Sequence, residues 1–533
     1  MVVWKGAMIA ALLAMGCPSS GTFVCLDDAE CGAQGQCEAP GFCSFPDDQC
    51  PSGRRYEPLA GEGLASRCVP AADESTGTAT DSASASTSGT TTLSTGSAGE
   101  TTASVDSTTT SATTSDNGNP SIVIDPRTRY QTLDGMGIQA WDFPIADPDW
   151  NWDAAALAFD DVDIHYVQLI TLFSDWEPAN DDADPYSTND AAFDPGGEIA
   201  AEDIVMGQWM VDRGYELNVQ KVLLPGWMTV ADYEVPAEQY AEFAESVISY
   251  QAALEASGIP QTEIDLWQAG TAADAFKTPA AAAAAADAVL NSLDVFGVER
   301  KLLTPSVPGS IAEEWLSVWF ESADRAEQTA AVSVRGAATS EFADFQAVAA
   351  WGEEFNVPVW GYDNWYCGSN DGCPAAPATD STTWASAWEM AQQNYRLIAG
   401  AHASRIYHAA MVGFQPSLDP ATGAKLPTFY VLQHFANWIP PGSVYLSSVA
   451  ENPAVFSVAV ERPDGSYALI LLNTDFVSND VEVSLATDQN LSLGATAQSI
   501  AGEYMTQLAS ADEAGLVFSL PPSSISSIEF LLP

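Results

Sequence analysis

From Pro120 onward the chain alternates strand-like and helix-like segments, a pattern that only a few folds accommodate. Short apolar runs recur between amphipathic stretches, and they read SIVID, IHYVQLITLF, ELNVQKVLL, EIDLWQ, KLLTPS, AAVSV, VPVWGY and SRIYHAAMV. Such runs are typical of strands that are buried on both faces. Alternation over roughly 300 residues predicts an α/β fold of the (β/α)8 TIM barrel type.

The stretches between these runs have helical periodicity. Residues 237–257 place five apolar side chains on one helical face, namely Tyr240, Phe243, Val247, Tyr250 and Leu254. Residues 280–293 are rich in alanine and follow Pro279, a residue type that favours the first turn of a helix. A third helix is predicted for residues 383–397.

After Gly442 the pattern changes to short strands separated by turn residues. The strands read VFSVAVE, YALILLN, VEVSLA and ISSIEFLL, and the turn Pro463-Asp464-Gly465 lies between the first two. Short strands at close spacing predict a C-terminal antiparallel β-sandwich of roughly 90 residues.

The first residues have the features of an export signal. Lys5 supplies positive charge ahead of an apolar run, residues 7–15, that is too short to span a bilayer. The run ends in AMGC, which resembles a bacterial lipobox, although the usual leucine is displaced by one position. We therefore expect a lipid anchor on Cys17 at the bacterial cell envelope, with secretion as the alternative if the lipobox is not used. Membrane contact is expected only through this anchor.

Cysteine usage agrees with export. Six cysteines lie close together, at Cys25, Cys31, Cys37, Cys43, Cys50 and Cys68. They predict a small disulfide-rich module whose pairing the sequence leaves open. A zinc site is the weaker alternative, because the stretch has no C-x-x-C pair and no nearby histidine.

A polar linker follows the cysteine-rich module. Residues 71–119 consist almost entirely of Ser, Thr, Ala, Gly and Asp, too few apolar groups to form a core, so we expect a disordered tether. The predicted organisation is a signal peptide with lipobox (1–17), a cysteine-rich module (18–70), a linker (71–119), a barrel (120–440) and a β-sandwich (441–533).

The charge balance restricts the possible partners. The chain has 17 Lys and Arg against 72 Asp and Glu, a net charge of −55. Such a surface repels nucleic acids and anionic lipid head groups, so no nucleic acid partner is expected. The acid excess is typical of a soluble exported protein. We expect no cofactor and a monomeric state.

Motifs in the barrel region resemble glycoside hydrolase family 30, a family of retaining glycosidases. YQTLDGMGIQAW resembles the family's Q-T-I-D-G-F-G opening, and LLPGWMT resembles its S-P-P-A-W-M-K after strand 3. FSDWEPAND fits the loop after strand 2, KLPTFYVLQHFANWIPPGSVYL resembles the link into the side domain, and VFSVAVERPDGSYALILLN resembles the side sandwich itself. The resemblance runs from about Ser121 to the C-terminus, and it implies carbohydrate as the partner.

The resemblance implies two catalytic carboxylates, and one of them is missing. In the family the acid/base glutamate ends strand 4 in an Asn-Glu-Pro motif, where this chain has Ala269 and Gly270. The nucleophile glutamate at the end of strand 7 is matched by Asp363, which is one methylene shorter. Asp363 is either the remnant of this nucleophile or an ordinary loop carboxylate. A misplacement of about 1 Å can cost about 100-fold in rate. The sequence thus leaves open whether the chain is an enzyme.

Other polar positions of the family also differ here. The strand 2 arginine is matched by Gln168, and the strand 6 histidine position reads Val334-Arg335-Gly336. Asp274 and Glu177 are candidates for a relocated acid, with ordinary loop acids as the preferred interpretation.

Aromatic residues at predicted strand ends are the main candidates for substrate binding, because aromatic faces stack on sugar rings. The predicted substrate-binding residues are Trp141, Asp142, Trp227, Tyr362 and Trp365. Core packing is the preferred interpretation for Trp267 and Trp360, which lie within strands. Cys367 and Cys373 are expected to form a disulfide that stiffens the loop after strand 7.

No metal site is expected. Asp181, Asp182 and Asp184 carry suitable oxygens, but their spacing does not match the known calcium loop, so solvated loop acids are the preferred interpretation. The four histidines form no cluster and are expected to be structural.

Three functions stay open at this point. The preferred one is a surface protein whose barrel binds glycans with weak or no hydrolysis. The second is an active retaining O-glycosyl hydrolase of polysaccharides that uses Asp363 and a relocated acid. The third is a surface scaffold or adhesion protein.

Overall fold

The computed structural model describes residues 36–38, 43–46, 52, 54–56, 69, 119–141, 156, 158–172, 176–182, 184–189, 193, 198–222, 224–230, 234–266, 275–336, 340–364, 382–408, 411, 417–419, 422–487, 490–508 and 516–531. The chain divides into two compact units, residues 20–113 and residues 1–19 together with 114–533.

The smaller unit contains a three-stranded antiparallel sheet. Its strands β1 (Gln36–Cys37), β2 (Cys43–Pro46) and β3 (Arg54–Tyr56) pair in that order. Arg54 Nε donates a 2.8 Å hydrogen bond to the hydroxyl of buried Ser44. The predicted disulfides of this module and the predicted anchor Cys17 lie outside the described residues and side chains.

The larger unit begins with β4 (Ser121–Leu133), which belongs to the sandwich, and continues into the barrel. The barrel strands are β5 (Gly135–Trp141), β6 (Ile164–Leu172), β7 (Glu216–Val222), β8 (Glu263–Ile264), β9 (Lys301–Leu303) with its short continuation β10 (Val307–Pro308), β11 (Thr329–Arg335), β12 (Val359–Asn364) and β13 (Ala403–His408). They pair in parallel in the order β7-β6-β5-β13-β12-β11-β9-β8. A parallel bridge between Gln220 and Asp265 joins the two ends of this sheet and closes the ring. The predicted (β/α)8 barrel is therefore confirmed.

Helices cover the outside of the ring. They are α1 (Glu198–Asp212), α2 (Tyr240–Ala256), α3 (Pro279–Phe296), α4 (Gly309–Trp319), α5 (Ala323–Glu327), α6 (Phe342–Phe355), α7 (Trp384–Tyr395), which continues as a π-helix over Arg396–Gly400, and α8 (Pro427–Ala436). The ends of α3 show why the helix forms there. The side chain of Thr278 accepts from the Ala281 amide at its start, and Gly297 ends it with a left-handed φ of 65°.

The predicted helices agree with those observed. Residues 237–257 form a 3₁₀ turn (Ala237–Gln239) and α2, and on the predicted apolar face Phe243, Val247, Tyr250 and Leu254 are buried. Together with strand residues such as Val167 and Leu169 they form the layer of core between sheet and helices. Among the described residues, no helix combines the length and the hydropathy that crossing a bilayer requires.

The side sandwich takes one strand from before the barrel. Its other strands are β14 (Ser443–Ala450), β15 (Val455–Glu461), β16 (Tyr467–Asn473), β17 (Asn479–Leu485), β18 (Ser492–Ile500), β19 (Glu503–Thr506), β20 (Val517–Leu520) and β21 (Ser524–Leu531). They and β4 are linked in the order β19-β18-β21-β16-β15-β14-β4-β17-β20. SIVID, predicted as a buried strand of the alternating region, is thus the first part of β4, and its Ile122 and Ile124 lie in the core of the sandwich.

Polar and aromatic contacts join the barrel to the sandwich. The imidazole of His434 on α8 lies 2.8 Å from the hydroxyls of both Ser499 and Ser527. Trp384 Nε1 on α7 donates a 2.8 Å hydrogen bond to the carbonyl of Ser523. Because these side chains bond across the boundary, the two parts of the larger unit have a fixed interface.

Candidate functional site

Polar side chains from three barrel strands meet inside the ring. Side chains alternate between the two faces of a strand, so the neighbours of outward-packing Ile138 and Leu169 face the interior. There Gln139 Nε2 donates to Gln168 Oε1 over 2.6 Å, and Gln168 Nε2 donates to a carboxylate oxygen of Asp265 over 2.7 Å. All three residues are buried. Gln168, which matches the family's strand 2 arginine, therefore joins β5 and β6 to the segment that follows β8.

Arg405 fills the lower part of the ring, near the N-terminal ends of the strands. Its guanidinium lies 3.6 Å from the ring centre of Tyr166 and 4.0 Å from that of Trp360. It also forms ion pairs with Glu216 at 3.1 Å and with Glu263 at 3.6 Å. In TIM barrels this end of the strands contributes to stability, whereas the opposite end, the mouth, carries function.

The aromatic residues of β12 lie in the interior. Trp360 packs under Arg405, which agrees with the core packing expected for it. Tyr362 is 0% exposed and stacks on Tyr407 with ring centres 4.5 Å apart. A ring buried in this way has no free face for a sugar, so we correct the expectation for Tyr362 and no longer include it among the substrate-binding residues.

Of the two positions expected for the catalytic carboxylates, the structure describes the backbone of one. Asp363 is the penultimate residue of β12, so its backbone lies at the mouth. The described part of the fourth strand segment ends at Leu266, three residues before Ala269. The side chain of Asp363 and the whole of Ala269 and Gly270 lie outside the described part of the structure.

The structure likewise does not describe the side chains of several other predicted site residues. Trp141 ends β5, but its side chain is not among those described. Asp142, Trp365, Cys367, Cys373 and the candidate acid Asp274 also lie outside the described residues. Substrate contact for Trp141, Asp142 and Trp365, and the disulfide, therefore stay predictions.

Besides Tyr362, Trp227 is the predicted sugar-binding residue whose side chain the structure describes. It lies in the turn after β7, at the mouth of the barrel, and is half-buried against the core. Its Nε1 donates a 2.8 Å hydrogen bond to the carbonyl of Glu177 in the loop after β6. The indole is therefore held in one orientation by the neighbouring loop.

The side chain of Glu177 is itself buried. It is only 2% exposed, and burial raises the pKa of its carboxyl group to about 7. A raised pKa suits a general acid, but an acid must also reach the leaving oxygen of the substrate. Because Glu177 is buried, the structure gives no support to its role as the relocated acid.

Acidic side chains gather between the loop after β6 and α2. Oxygens of Asp181, Glu242 and Glu245 all lie within 4.8 Å of one another. Burial raises the pKa of Glu245 to about 8, and the nearby charges of Asp181 and Glu242 add to the shift. Asp182 and Asp184 lie in the same loop as Asp181, and each accepts a hydrogen bond from a backbone amide of that loop.

The histidines occupy separate places in the fold. His408 ends β13 and is fully buried, and desolvation lowers its pKa to about 3. His434 lies at the sandwich interface, with its pKa lowered to about 3 for the same reason. His165 is near Asp163, and His402 is near Glu353. Neutral, buried imidazoles at positions 408 and 434 are consistent with the structural role expected for them.

An open cavity of about 680 Å³ lies away from the mouth. It is lined by residues such as Tyr130, Asp134, Asn356 and His402, which precede the barrel strands. We do not assign the candidate site to this cavity, because the C-terminal ends of the strands carry function in this fold.

Sequence reasoning did not single out Gln139 and Asp265. The signal was present, because both are polar residues at alternate positions of otherwise apolar strands. In a closed parallel barrel such positions face the interior. The convergence of Glu242 and Glu245 with Asp181 gave no such local signal, because it depends on how a loop packs against a helix.

Comparison with known proteins agrees with this architecture. Residues 442–528 match the model of the glycosyl hydrolase family 30 beta sandwich domain. A search of curated protein sequences finds no match.

Several solved structures have a fold similar to that of the chain. A family 30 subfamily 8 xylanase from Clostridium acetobutylicum has a TM-score of 0.60 at 12% identity, over 77% of this chain and 99% of that one. A family 30 endoxylanase from Clostridium papyrosolvens has a TM-score of 0.59 at 11% identity, over 77% and 99%. A conserved exported protein from Bacteroides fragilis has a TM-score of 0.58 at 11% identity, over 77% and 100%.

Identities this low establish likeness of fold and leave activity open. In its fold, a TIM barrel with a side β-sandwich, and in the sequence of that sandwich, the chain therefore resembles glycoside hydrolase family 30 proteins.

Proposed function

We propose that this protein binds glycans at the mouth of its barrel and hydrolyses them weakly or not at all. The observation that carries the proposal is the sequence at the end of the fourth strand. A family 30-like barrel is present, but the position of the acid/base glutamate reads Ala269-Gly270. Neither side chain can hold a proton.

The mechanism of a retaining glycosidase explains why loss of the acid/base glutamate should abolish or greatly slow hydrolysis. One carboxyl group protonates the leaving oxygen while a second, about 5–5.5 Å away, attacks the anomeric carbon. By sequence resemblance Asp363, near the end of β12, matches the position of the attacking group, on a shorter side chain. Glu177, the candidate acid whose side chain is described, is buried rather than open to a substrate.

Sugar binding does not require either carboxylate. It needs an aromatic platform with polar groups around it, and Trp227 provides such a platform beside the mouth. The hydrogen bond from its indole to the Glu177 carbonyl fixes the ring before a ligand arrives. A platform that is already ordered loses little entropy on binding. Solved structures named as xylanases share the fold, which supports a polysaccharide as the ligand class.

We place this activity at the bacterial cell envelope. The apolar N-terminal run followed by Cys17, and the Ser/Thr-rich segment ahead of the barrel, support a lipoprotein that presents its barrel on a tether. Metabolic labelling with a fatty acid would be lost in Cys17→Ser if this placement is correct.

The central test is a binding screen on polysaccharides and a glycan array. We expect the folded protein to bind at least one glycan, and Trp227→Ala to weaken that binding by about 5–150-fold, since stacking of one ring contributes about 1–3 kcal/mol. Phe476→Ala is the matched control, because Phe476 is an aromatic residue that is 81% exposed in the sandwich. Absence of binding to every glycan by a correctly folded protein would refute the proposal.

The same preparations distinguish the other two functions. Release of reducing sugar that disappears in Asp363→Asn would establish an active hydrolase with a relocated acid. Failure to bind glycans, together with capture of a defined envelope protein, would instead support a scaffold or adhesion role.

A further inference from the structure

The acidic cluster (Asp181, Glu242 and Glu245) has an ordered geometry. Glu242 and Glu245 are three residues apart on α2 and share one face of the helix. Asp181 approaches from the loop after β6, where its two carboxylate oxygens accept hydrogen bonds from the amides of Asp182 and Asn189 at 2.7 and 2.6 Å. Each carboxylate oxygen has two lone pairs, so Asp181 keeps acceptor capacity on the side that faces the helix.

One oxygen of a buried carboxylate in this cluster has no donor. Glu245 is 2% exposed, and its Oε1 has no hydrogen-bond partner. Glu177, which is also 2% exposed, lies in the same loop and has an Oε2 without a partner. Within the described ranges no Lys or Arg forms an ion pair with any of these four acids. A buried negative charge is costly unless a positive charge or a set of donors compensates it.

We propose that Asp181, Glu242 and Glu245 bind a Ca²⁺ ion. The donors are all oxygens, which hard cations prefer over the nitrogen and sulfur donors of zinc and copper sites. Ca²⁺ accepts several protein carboxylates in a flexible geometry, whereas Mg²⁺ usually keeps several waters and is bound through one or two carboxylates. Three carboxylates whose oxygens all lie within 4.8 Å of one another therefore suit Ca²⁺ better.

A bound ion would tie the loop after β6 to α2. That loop includes Glu177, whose carbonyl accepts the hydrogen bond from Trp227. It also includes Trp176, whose Nε1 donates to Ser249 on α2 over 3.0 Å. The site therefore has a structural role in holding one wall of the barrel mouth, and it is independent of whether the mouth binds glycans.

Luminescence of Tb³⁺, an ion that replaces Ca²⁺ in oxygen sites, provides the test, because excitation of Trp176 and Trp227 can be transferred to a nearby ion. We expect sensitised emission from the wild type that Ca²⁺ displaces. Glu245→Gln should weaken Tb³⁺ binding at least about tenfold, since affinity follows the number of charged ligands. Glu238→Gln is the matched control, because Glu238 is an exposed acid just ahead of the same helix.

Thermal unfolding gives a second readout that involves no sugar. Ca²⁺ should raise the melting temperature of the wild type and of Glu238→Gln in a saturable way, beyond the effect of NaCl at equal ionic strength, and should leave Glu245→Gln unchanged. Equal Tb³⁺ emission in Glu245→Gln and wild type, or a Ca²⁺ effect that NaCl reproduces, would overturn the proposal. If circular dichroism shows that Glu245→Gln does not fold, Glu242→Gln serves the same comparison.

Discussion

Glu389 is a carboxyl group that the folded protein keeps protonated near neutral pH. It lies on α7, and burial raises its pKa to about 7, although Arg396 and Gln393 oppose the shift. In the unfolded chain a glutamate titrates near 4.5. The folded state therefore holds a proton that the unfolded state has released between these values. The stabilisation from this group is complete below pH 4.5 and is lost as the pH rises through about 7.

Replacing Glu389 by Gln should therefore stabilise the protein mainly at high pH. Relative to wild type, we expect Glu389→Gln to increase the free energy of unfolding by on the order of 1–3 kcal/mol more at pH 8 than at pH 5. Urea denaturation at both pH values measures this difference. Glu313→Gln, at an exposed position of α4, should show no such pH dependence. A gain for Glu389→Gln that is the same at both pH values would contradict the assignment.

Individual residues also show where sequence reasoning reached its limit. Trp227 is predicted to lie beyond the end of a strand, and it lies in the turn after β7 because a long and distinct apolar run precedes it. Its contact with a sugar stays a prediction. Tyr362 was expected to contact sugar, but its ring stacks on Tyr407 from the adjacent strand. Because β12 is short, its few residues do not show which side chains face the barrel interior. The ring that stacks on Tyr362 comes from Tyr407, in a distant segment of the chain.

At the level of elements, β5 depends on a residue with no side chain. A Cβ on Gly137 would lie 2.8 Å from the carbonyl oxygen of Tyr166 on β6 and 3.0 Å from the ring of Tyr407 on β13. Neighbouring strands on both sides therefore leave no room for a methyl group. The family-like motif LDGMG contains this glycine, and the packing of three adjacent strands explains its presence.

Gly137→Ala should destabilise the barrel. Overpacking against a backbone atom costs about 1–3 kcal/mol, because neither strand can move without breaking its pairing. Gly226→Ala is the matched control, since a Cβ at Gly226 meets nothing within 4 Å. Thermal unfolding of both variants against wild type measures the effect. Equal melting temperatures for the two variants would show that β5 adapts more readily than its contacts suggest.

The elements themselves were predictable because their signals are local. All eight barrel strands coincide with apolar runs or motif segments, and the three predicted helices coincide with α2, α3 and α7. What the sequence could not provide was the pairing of β4. Its residues read as one more buried strand ahead of a barrel, but they pair with β14 and β17, which follow the barrel. Pairing over such a separation depends on tertiary structure.

On the scale of the whole molecule, the pairing of β4 with β14 and β17 joins the two ends of the described larger unit. Ile122 and Ile124 of β4 are 0% exposed in the sandwich core, and β4 leads through Leu133 directly into the first barrel strand. The sandwich thus encloses the start of the chain segment that forms the barrel. His434 and Trp384 add contacts from two barrel helices to β18, β21 and the turn before β21.

Removal of the sandwich should therefore unfold or aggregate the barrel. A chain that ends at Pro440 would expose the apolar face of β4, leave both edges of that strand unpaired and deprive His434 of both serine partners. We expect it to be recovered as aggregate, whereas the full chain should show barrel and sandwich melting in one calorimetric transition. A chain of residues 134–440, which also lacks β4, separates the two causes: if it is soluble and folded, the exposed strand alone accounts for the aggregation. A soluble monomer ending at Pro440 with cooperative unfolding would show instead that the barrel is stable without its side domain.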